Sequence, residues 1–189
     1  TGLLKLAHAD NSDYTTVLMQ GSGTFGVESV LSSVISSTDK VLVLQNGAYS
    51  KRMVEMCDYH GIKYVVYEED YAHVPDPAIV EDVLKSDGSI THISMVHSET
   101  TSGLLNDIAA IGELAKKYNK KFIVDAMSSF GGVDINVPEL GITYLVSSAN
   151  KCIQGVPGFS FIIANVSDLK QTKGIARSLS LDLYAQWET

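Results

Sequence analysis

The segment 14–31, YTTVLMQGSGTFGVESVL, decides the fold. Residues 15–20 are rich in β-branched and apolar side chains, which is typical of a strand. A glycine-rich turn ends that strand, and apolar residues then recur at helical spacing over residues 25–35. Ser22 or Thr24 stands where a helix cap is expected. The segment therefore predicts a strand that passes through a tight turn directly into a helix.

The same alternation of strand and helix continues along the chain. Further helices are predicted over residues 50–60, 76–87 and 107–118, and further strands over residues 40–44, 64–67, 90–96, 121–125, 142–151 and 158–165. The strands are near-continuous apolar runs, which indicates that both faces of each are buried. We predict an α/β fold of three layers, a mostly parallel sheet with helices on both faces. In such sheets ligands bind outside the carboxyl ends of the strands.

Composition limits the partners of the chain. The 189 residues are 45% hydrophobic and carry a formal net charge of −8, with a pI near 5.0. Nucleic acid and anionic membrane surfaces repel such an acidic chain. No apolar run reaches the roughly 20 residues of a membrane span. Cys57 and Cys152 have neither metal-type spacing nor the pattern of a disulfide framework, so we expect one globular unit in the cytoplasm, without a metal.

Five loops follow the predicted strands and hold the candidate functional residues. Their sequences are GSGTFG (21–26), NGAYSK (46–51), HSETTSG (97–103), DAMSSFGG (125–132) and SSANKCIQGVPG (147–158). Together they supply glycines, hydroxyls, an aromatic ring, an acid and a lysine. The sequence contains neither the Gly-x-Ser-x-Gly motif of hydrolases nor the His-Glu-x-x-His motif of zinc proteases. The loops are therefore unlike those of a hydrolase.

The G-x-G-x-x-G sequence at residues 21–26 is open to three interpretations. In a nicotinamide-binding domain, an acid at the tip of the second strand binds the ribose hydroxyl, but Gln45 and Asn46 stand at that place here. Backbone amides at the helix N-terminus, with the hydroxyls of Ser22 and Thr24, can instead bind a single phosphate group. A tight turn that serves only packing is the third interpretation.

Asp125 and Lys151 each end a predicted strand. A buried carboxylate is costly unless it meets a cation or caps a neighbouring backbone. Lysine is usually a solvated surface residue, but burial at a strand end would lower its pKa and make the neutral amine a nucleophile. A phosphate cradle, an acid and an amine are what pyridoxal 5'-phosphate requires for its phosphate, its pyridine nitrogen and its aldehyde. The residues therefore indicate a site for this coenzyme.

Five segments resemble the 2-aminoethylphosphonate:pyruvate aminotransferase family. They are GSGTFGVESVL, VHSETTSGLLN, VDAMSSFGG, SSANKCIQGVPGFSF and SLSLDLYAQW, and they extend over essentially the whole chain. The family is a fold-type-I group that uses pyridoxal 5'-phosphate, together with alanine:glyoxylate and serine:pyruvate aminotransferases. The resemblance implies that residues 1–189 form the coenzyme-binding large domain. It also implies that the family's N-terminal segment and C-terminal small domain lie outside this chain.

The resemblance assigns catalytic and ring contacts to particular residues. Lys151 is implied to form the Schiff base with the coenzyme and to move the proton between the substrate and coenzyme carbons. Asp125 is implied to pair with the pyridinium nitrogen, and Tyr49 to stack on the ring. Either Thr100 or Thr101 is implied to approach the phenolic oxygen of the ring, and the sequence does not choose between them.

The resemblance places the coenzyme phosphate at the glycine turn. Gly23 and Thr24 are implied to hold it, with Ser22 nearby. Asn150, directly before the lysine, is implied to add a further donor.

The implied reaction is transamination of 2-aminoethylphosphonate with pyruvate, which yields phosphonoacetaldehyde and L-alanine in phosphonate degradation. An alanine:glyoxylate or serine:pyruvate aminotransferase is the alternative within the group, and a nicotinamide-binding α/β domain is a more distant one. The family implies small-molecule substrates and a homodimer. Arg52 and Arg177 are the two arginines, and neither matches the family's substrate-carboxylate arginine. His97 and Glu99 are candidates to line the threonine loop, with His97 expected to be a hydrogen-bonded structural residue.

Overall fold

The computed structural model describes residues 2–189. Thr1, which belongs to the predicted domain 1–189, lies outside the described residues. Within residues 2–189, no helix is both long and apolar enough to cross a bilayer. The same residues contain no group of three or more His, Cys, Asp or Glu that could hold a metal ion.

The strands are short and mostly buried, as apolar runs covered on both faces should be. They are β1 (Tyr14–Gln20), β2 (Lys40–Gln45), β3 (Lys63–Glu68), β4 (His92–Val96), β5 (Ser98–Glu99), β6 (Leu104–Leu105), β7 (Lys121–Asp125), β8 (Tyr144–Ser148) and β9 (Phe159–Asn165). The helices are α1 (Gly2–Leu6), α2 (Gly23–Val34), α3 (Ala48–His60), α4 (Pro77–Ser86), α5 (Ile108–Lys117), α6 (Val166–Lys170) and α7 (Leu183–Glu188).

Seven of the described strands form one sheet in the order β1-β9-β8-β7-β4-β2-β3. The pairs β2–β3, β2–β4, β4–β7 and β7–β8 are parallel, whereas β9 is antiparallel to both β8 and β1. One reversed strand therefore interrupts an otherwise parallel sheet. Strand β9 is reversed because only residues 149–158 join it to β8, and a parallel crossover requires about a dozen residues or more. β5 and β6 form a separate hairpin beyond the end of β4.

Helices cover both faces of this sheet. On one face, α4 and α5 contribute Leu84 and Ile111 to a core cluster that also includes Leu4 of α1. On the other face, α2 and α3 contribute Leu31 and Met53 to a second cluster that α7 also joins. The prediction of a three-layer α/β fold with a mostly parallel sheet is therefore confirmed.

The element boundaries differ from the sequence prediction at two places that matter for the site. Helix α3 begins at Ala48 rather than Ser50, because the hydroxyl of Ser50 accepts the N–H of the N-cap residue Gly47 at 3.1 Å. Strand β8 ends at Ser148 rather than at residue 151, since the backbone turns at Ala149, whose carbonyl accepts an N–H within the same loop at 2.7 Å. The short elements α1, α6, α7, β5 and β6 were not predicted, because two to six residues show too little periodicity.

Gly112 on α5 packs directly against the loop that precedes β8. A Cβ atom at this position would lie 2.1 Å from the backbone carbonyl oxygen of Leu140. We expect Gly112→Ala to lower the free energy of unfolding by about 1–3 kcal/mol, because backbone must move and this outweighs the better helix propensity of alanine. Thermal unfolding followed by circular dichroism measures the change. Gly88→Ala is the control, since nothing lies within 4 Å of a Cβ there, and equal destabilisation by both variants would contradict the expectation.

Candidate active site

A pocket of about 400 Å³ lies at the carboxyl ends of the parallel strands. Its walls come from the loops that follow β1, β2, β4, β7 and β8, which are the loops singled out from the sequence. A volume of this size is typical of sites for small molecules and cofactors. The predicted site residues that line the pocket are Ser22, Gly23, Thr24, Tyr49, Thr100, Asp125, Asn150 and Lys151.

The N-terminus of α2 forms one end of the pocket. Gly21 has a φ of 118°, and its N–H donates to the carbonyl oxygen of Gly158 at 2.9 Å, which ties the turn to the loop before β9. Ser22 is the N-cap residue of α2, but its side chain makes no capping hydrogen bond. The first N–H groups of a helix have no partner within the helix, and the helix dipole is positive there. With the hydroxyls of Ser22 and Thr24 beside them, these groups suit a phosphate.

Asp125 ends β7 with its side chain on the pocket wall. The residue is 5% exposed, and one carboxylate oxygen accepts the backbone N–H of Met127 at 2.9 Å. Burial raises the pKa of Asp125 to about 6, an effect that the Met127 hydrogen bond opposes and the nearby Glu99 charge reinforces. Asp125 therefore caps a backbone group with one oxygen and retains a second oxygen for a ligand, so the two possibilities drawn from the sequence are compatible.

Lys151 lies on a turn after β8 and lines the same pocket as Asp125. The expectation that Lys151 is buried is wrong, because the residue is exposed. The reason is the early end of β8, which leaves Lys151 on a turn closed by the N–H of Gln154 and the carbonyl of Lys151 at 2.8 Å. Asn150 also lies on the pocket, where its side-chain oxygen accepts the hydroxyl of Ser148 at 3.0 Å.

The structure distinguishes the two candidate threonines. Thr100 lines the pocket, whereas Thr101 does not. The hydroxyl of Thr101 donates to Oε1 of Glu99 at 2.9 Å and accepts the backbone N–H of Ala48 at 3.3 Å. Thr100 is therefore the threonine whose hydroxyl is available to a ligand in this pocket.

Tyr49 and Arg52 occupy the same wall on the first turns of α3. Tyr49 is 39% exposed, and the guanidinium carbon of Arg52 lies 5.2 Å from the centre of its ring. Arg52 also donates to the hydroxyl of Thr24 at 3.4 Å, which links α3 to the α2 N-terminus. Arg177 is not part of the pocket and donates to the carbonyl oxygen of Ile35 instead.

Arg52 lines the pocket although the sequence did not indicate it as a site residue, and Glu99 lies elsewhere than expected. Arg52 could have been found, because it is three residues after Tyr49 on one helix and so shares its face. Glu99 does not line the pocket but lies fully buried behind it. His97 is also buried, but the expectation that it is hydrogen-bonded is wrong for Nδ1, which has no partner among residues 2–189. Burial lowers the pKa of His97 to about 4.

The chain is similar in sequence to known proteins of one family. Residues 4–177 match the class-V aminotransferase family. The bifunctional phosphonoacetaldehyde hydrolase/aminoethylphosphonate transaminase of Clostridioides difficile is 57% identical over 187 residues, which are 99% of this chain and 29% of that protein. The 2-aminoethylphosphonate–pyruvate transaminase of Klebsiella pneumoniae is 58% identical over 174 residues, 92% of this chain and 47% of that protein. The chain thus spans about half the length of these relatives, or less.

Solved structures agree with the sequence match. Pyridoxamine-pyruvate aminotransferase from Mesorhizobium loti has a TM-score of 0.87 to this chain at 30% identity, over 98% of this chain and 48% of that one. The family match covers most of the residues that build the sheet and every loop of the pocket. The chain therefore belongs to the class-V aminotransferase family.

Proposed function

We propose that residues 1–189 are the coenzyme-binding large domain of an aminotransferase that uses pyridoxal 5'-phosphate. The proposed reaction converts 2-aminoethylphosphonate and pyruvate into phosphonoacetaldehyde and L-alanine. The observation that carries the proposal is that one pocket contains the α2 N-terminus, the buried Asp125 carboxylate and the Lys151 amine. The family match supports transamination, and the names of the curated relatives support the two substrates.

Asp125 and Lys151 have complementary parts in this proposal. When bound, the coenzyme supplies an electron sink for the substrate carbon that loses its proton. Asp125 would keep a proton on the pyridine nitrogen. Burial raises the pKa of its carboxyl and so disfavours the carboxylate, and a cationic ring nitrogen beside it would stabilise the charged form again. Nζ of Lys151 would hold the coenzyme through its aldehyde and would carry the proton to and from the substrate carbon.

The other pocket residues orient the coenzyme. Tyr49 and Thr100 line the pocket, where the Tyr49 ring would stack on the coenzyme ring and the Thr100 hydroxyl would bind its phenolic oxygen. Because Thr101 is engaged by Glu99, it is not assigned a coenzyme contact. Phosphate binding is assigned to Ser22, Gly23, Thr24 and Asn150.

Both proposed substrates carry an anionic group. Arg52 lines the pocket, and none of the described residues 2–189 forms an ion pair with it. An arginine without a carboxylate partner on a pocket wall favours an anionic ligand. Alanine:glyoxylate and serine:pyruvate aminotransferases would use the same coenzyme residues, so rates with 2-aminoethylphosphonate, alanine and serine as amino donors distinguish these activities.

The proposal includes a homodimer in the cytoplasm. Phe25 and Val156 are 50% and 70% exposed, and they adjoin the pocket residues Gly21 and Pro157. Exposed apolar side chains beside a pocket favour coverage by further chain or by a second subunit. Analytical ultracentrifugation of the full-length protein tests the dimer.

Lys151→Ala tests the amine. We expect this substitution in the full-length protein to lower the rate of alanine formation by at least about a thousandfold, because both covalent binding of the coenzyme and proton transfer depend on Nζ. The unfolding temperature should not change, since Lys151 is exposed. Lys170→Ala, at another exposed lysine, is the control. Retention of turnover in Lys151→Ala would refute the assignment.

Asp125→Asn tests the acid. We expect it to lower kcat far more than it weakens coenzyme binding, because the substitution removes the partner of the ring nitrogen and leaves the phosphate contacts intact. Steady-state kinetics and coenzyme titration measure the two effects. Equal losses in both would indicate that Asp125 is only a structural acid.

The buried carboxyl of Asp125 should also make the stability of the coenzyme-free protein depend on pH. Its pKa rises from 3.8 to about 6 on folding, so the folded state binds more protons between these values and loses stability as pH increases through this window. The difference corresponds to about 3 kcal/mol at most. We expect Asp125→Asn to raise the unfolding temperature of the coenzyme-free protein at pH 7.5 and to have little effect at pH 4. A gain of the same size at both pH values would contradict the buried charge.

A further inference from the structure

Glu99 is a wholly buried carboxylate without a cationic partner. Its exposed fraction is 0%, and no Lys, Arg or His among residues 2–189 forms an ion pair with it. Burying a carboxylate is costly unless hydrogen bonds replace its lost water. The hydrogen-bond donors to Glu99 therefore identify the parts of the protein that its carboxylate holds in place.

The donors to Glu99 come from its own loop after β4 and from the start of α3. Oε1 accepts the hydroxyl of Thr101 at 2.9 Å and the backbone N–H of Tyr49 at 3.4 Å. Oε2 accepts the backbone N–H of Ser50 at 3.3 Å and its hydroxyl at 3.2 Å. Tyr49 and Ser50 lie in the first turn of α3, where N–H groups lack helical partners and the dipole attracts negative charge. Glu99 thus supplies from a distant loop the cap that Gly47, the N-cap residue, cannot provide.

Gly47 leaves the space that the carboxylate occupies. A Cβ atom at position 47 would lie 2.1 Å from Cγ of Glu99 and 2.5 Å from Oε2. The backbone of Gly47 is extended, with a φ of −179°, so the absence of a side chain matters here rather than an unusual conformation. The start of α3 and the side chain of Glu99 are therefore packed in direct contact, and neither can shift without the other.

The loop after β4 and the start of α3 both supply residues to the pocket, although Glu99 itself does not line it. Tyr49 lies in the first turn of α3, and Thr100 is the direct neighbour of Glu99 in sequence. We propose that Glu99 is a positioning residue, which fixes Tyr49 and Thr100 relative to each other on the pocket wall without touching the coenzyme. This inference rests on the proposed function, because it assigns Glu99 the orientation of a bound coenzyme ring.

Glu99→Gln in the full-length protein tests the proposal. Glutamine has the shape of glutamate, but an NH2 group replaces one acceptor oxygen, so a backbone N–H of α3 loses its partner. We expect the dissociation constant for pyridoxal 5'-phosphate to rise about tenfold, because binding must then order a pocket wall that Glu99 no longer holds in place. The visible circular dichroism of the bound coenzyme should weaken as well. Glu55→Gln, at an exposed glutamate on the same helix, is the control and should leave both measurements unchanged.

A double-mutant cycle with Tyr49→Ala separates positioning from a general loss of stability. If Glu99 acts through Tyr49, Glu99→Gln should raise the dissociation constant by less than about twofold in the Tyr49→Ala background. Additive effects of the two substitutions would overturn the proposal. The proposal would also be overturned if Glu99→Gln had the same coenzyme affinity and the same visible circular dichroism as Glu55→Gln, even if Glu99→Gln unfolded at a lower temperature.

Two further outcomes are informative. If Glu99→Gln does not fold, Thr101→Val removes one hydrogen bond to Oε1 and should raise the dissociation constant about threefold, while an unchanged value would overturn the proposal. If the unsubstituted protein does not bind pyridoxal 5'-phosphate, the proposed function fails and this inference fails with it. Normal binding with no effect of Glu99→Gln removes the inference alone.

Discussion

The burial of both faces of the strands is the constraint on which the molecule depends. Strands such as β4 and β7 are buried over almost their whole length, so they are stable only between two layers of helices. Helices that cross over the sheet return each parallel strand in the same direction, and the loops after these strands meet at one edge. The pocket is the direct result, since loops far apart in sequence come together there.

Two buried carboxylates at this edge meet the cost of burial in different ways. Glu99 receives four hydrogen bonds from Tyr49, Ser50 and Thr101 and is satisfied within the protein. Asp125 receives a hydrogen bond from Met127, and its raised pKa reflects incomplete compensation. Glu99 therefore has a structural role, whereas the Asp125 carboxylate would be stabilised further by a cation in the pocket. This difference distinguishes Glu99, which supports the pocket from behind, from Asp125, which is placed to interact with a ligand.

Sequence patterns could predict the layers, the order of the strands along the chain and the loops of the pocket, because these follow from apolar periodicity and glycine turns. They could not predict which of Thr100 and Thr101 faces the pocket, because the two neighbours are residues of the same type and the fold alone sets the direction of each side chain. Two partners of Glu99, Tyr49 and Ser50, lie about 50 residues away in sequence, so no local signal indicates them. The exposure of Lys151 was missed because no glycine or proline marks the end of β8 at Ser148. The reversal of β9 depends on the length of one connection rather than on the strand itself.

The pairing of the first strand with the last has a consequence for synthesis of the chain. β1 bonds only to β9 in the sheet, and the turn at Gly21 is tied to Gly158. During translation β1 must therefore wait until β9 has been synthesised before its edge is covered. The Gly21 end of the pocket therefore leaves the ribosome before the other pocket loops but takes its shape only after them, so the pocket is completed in one late step.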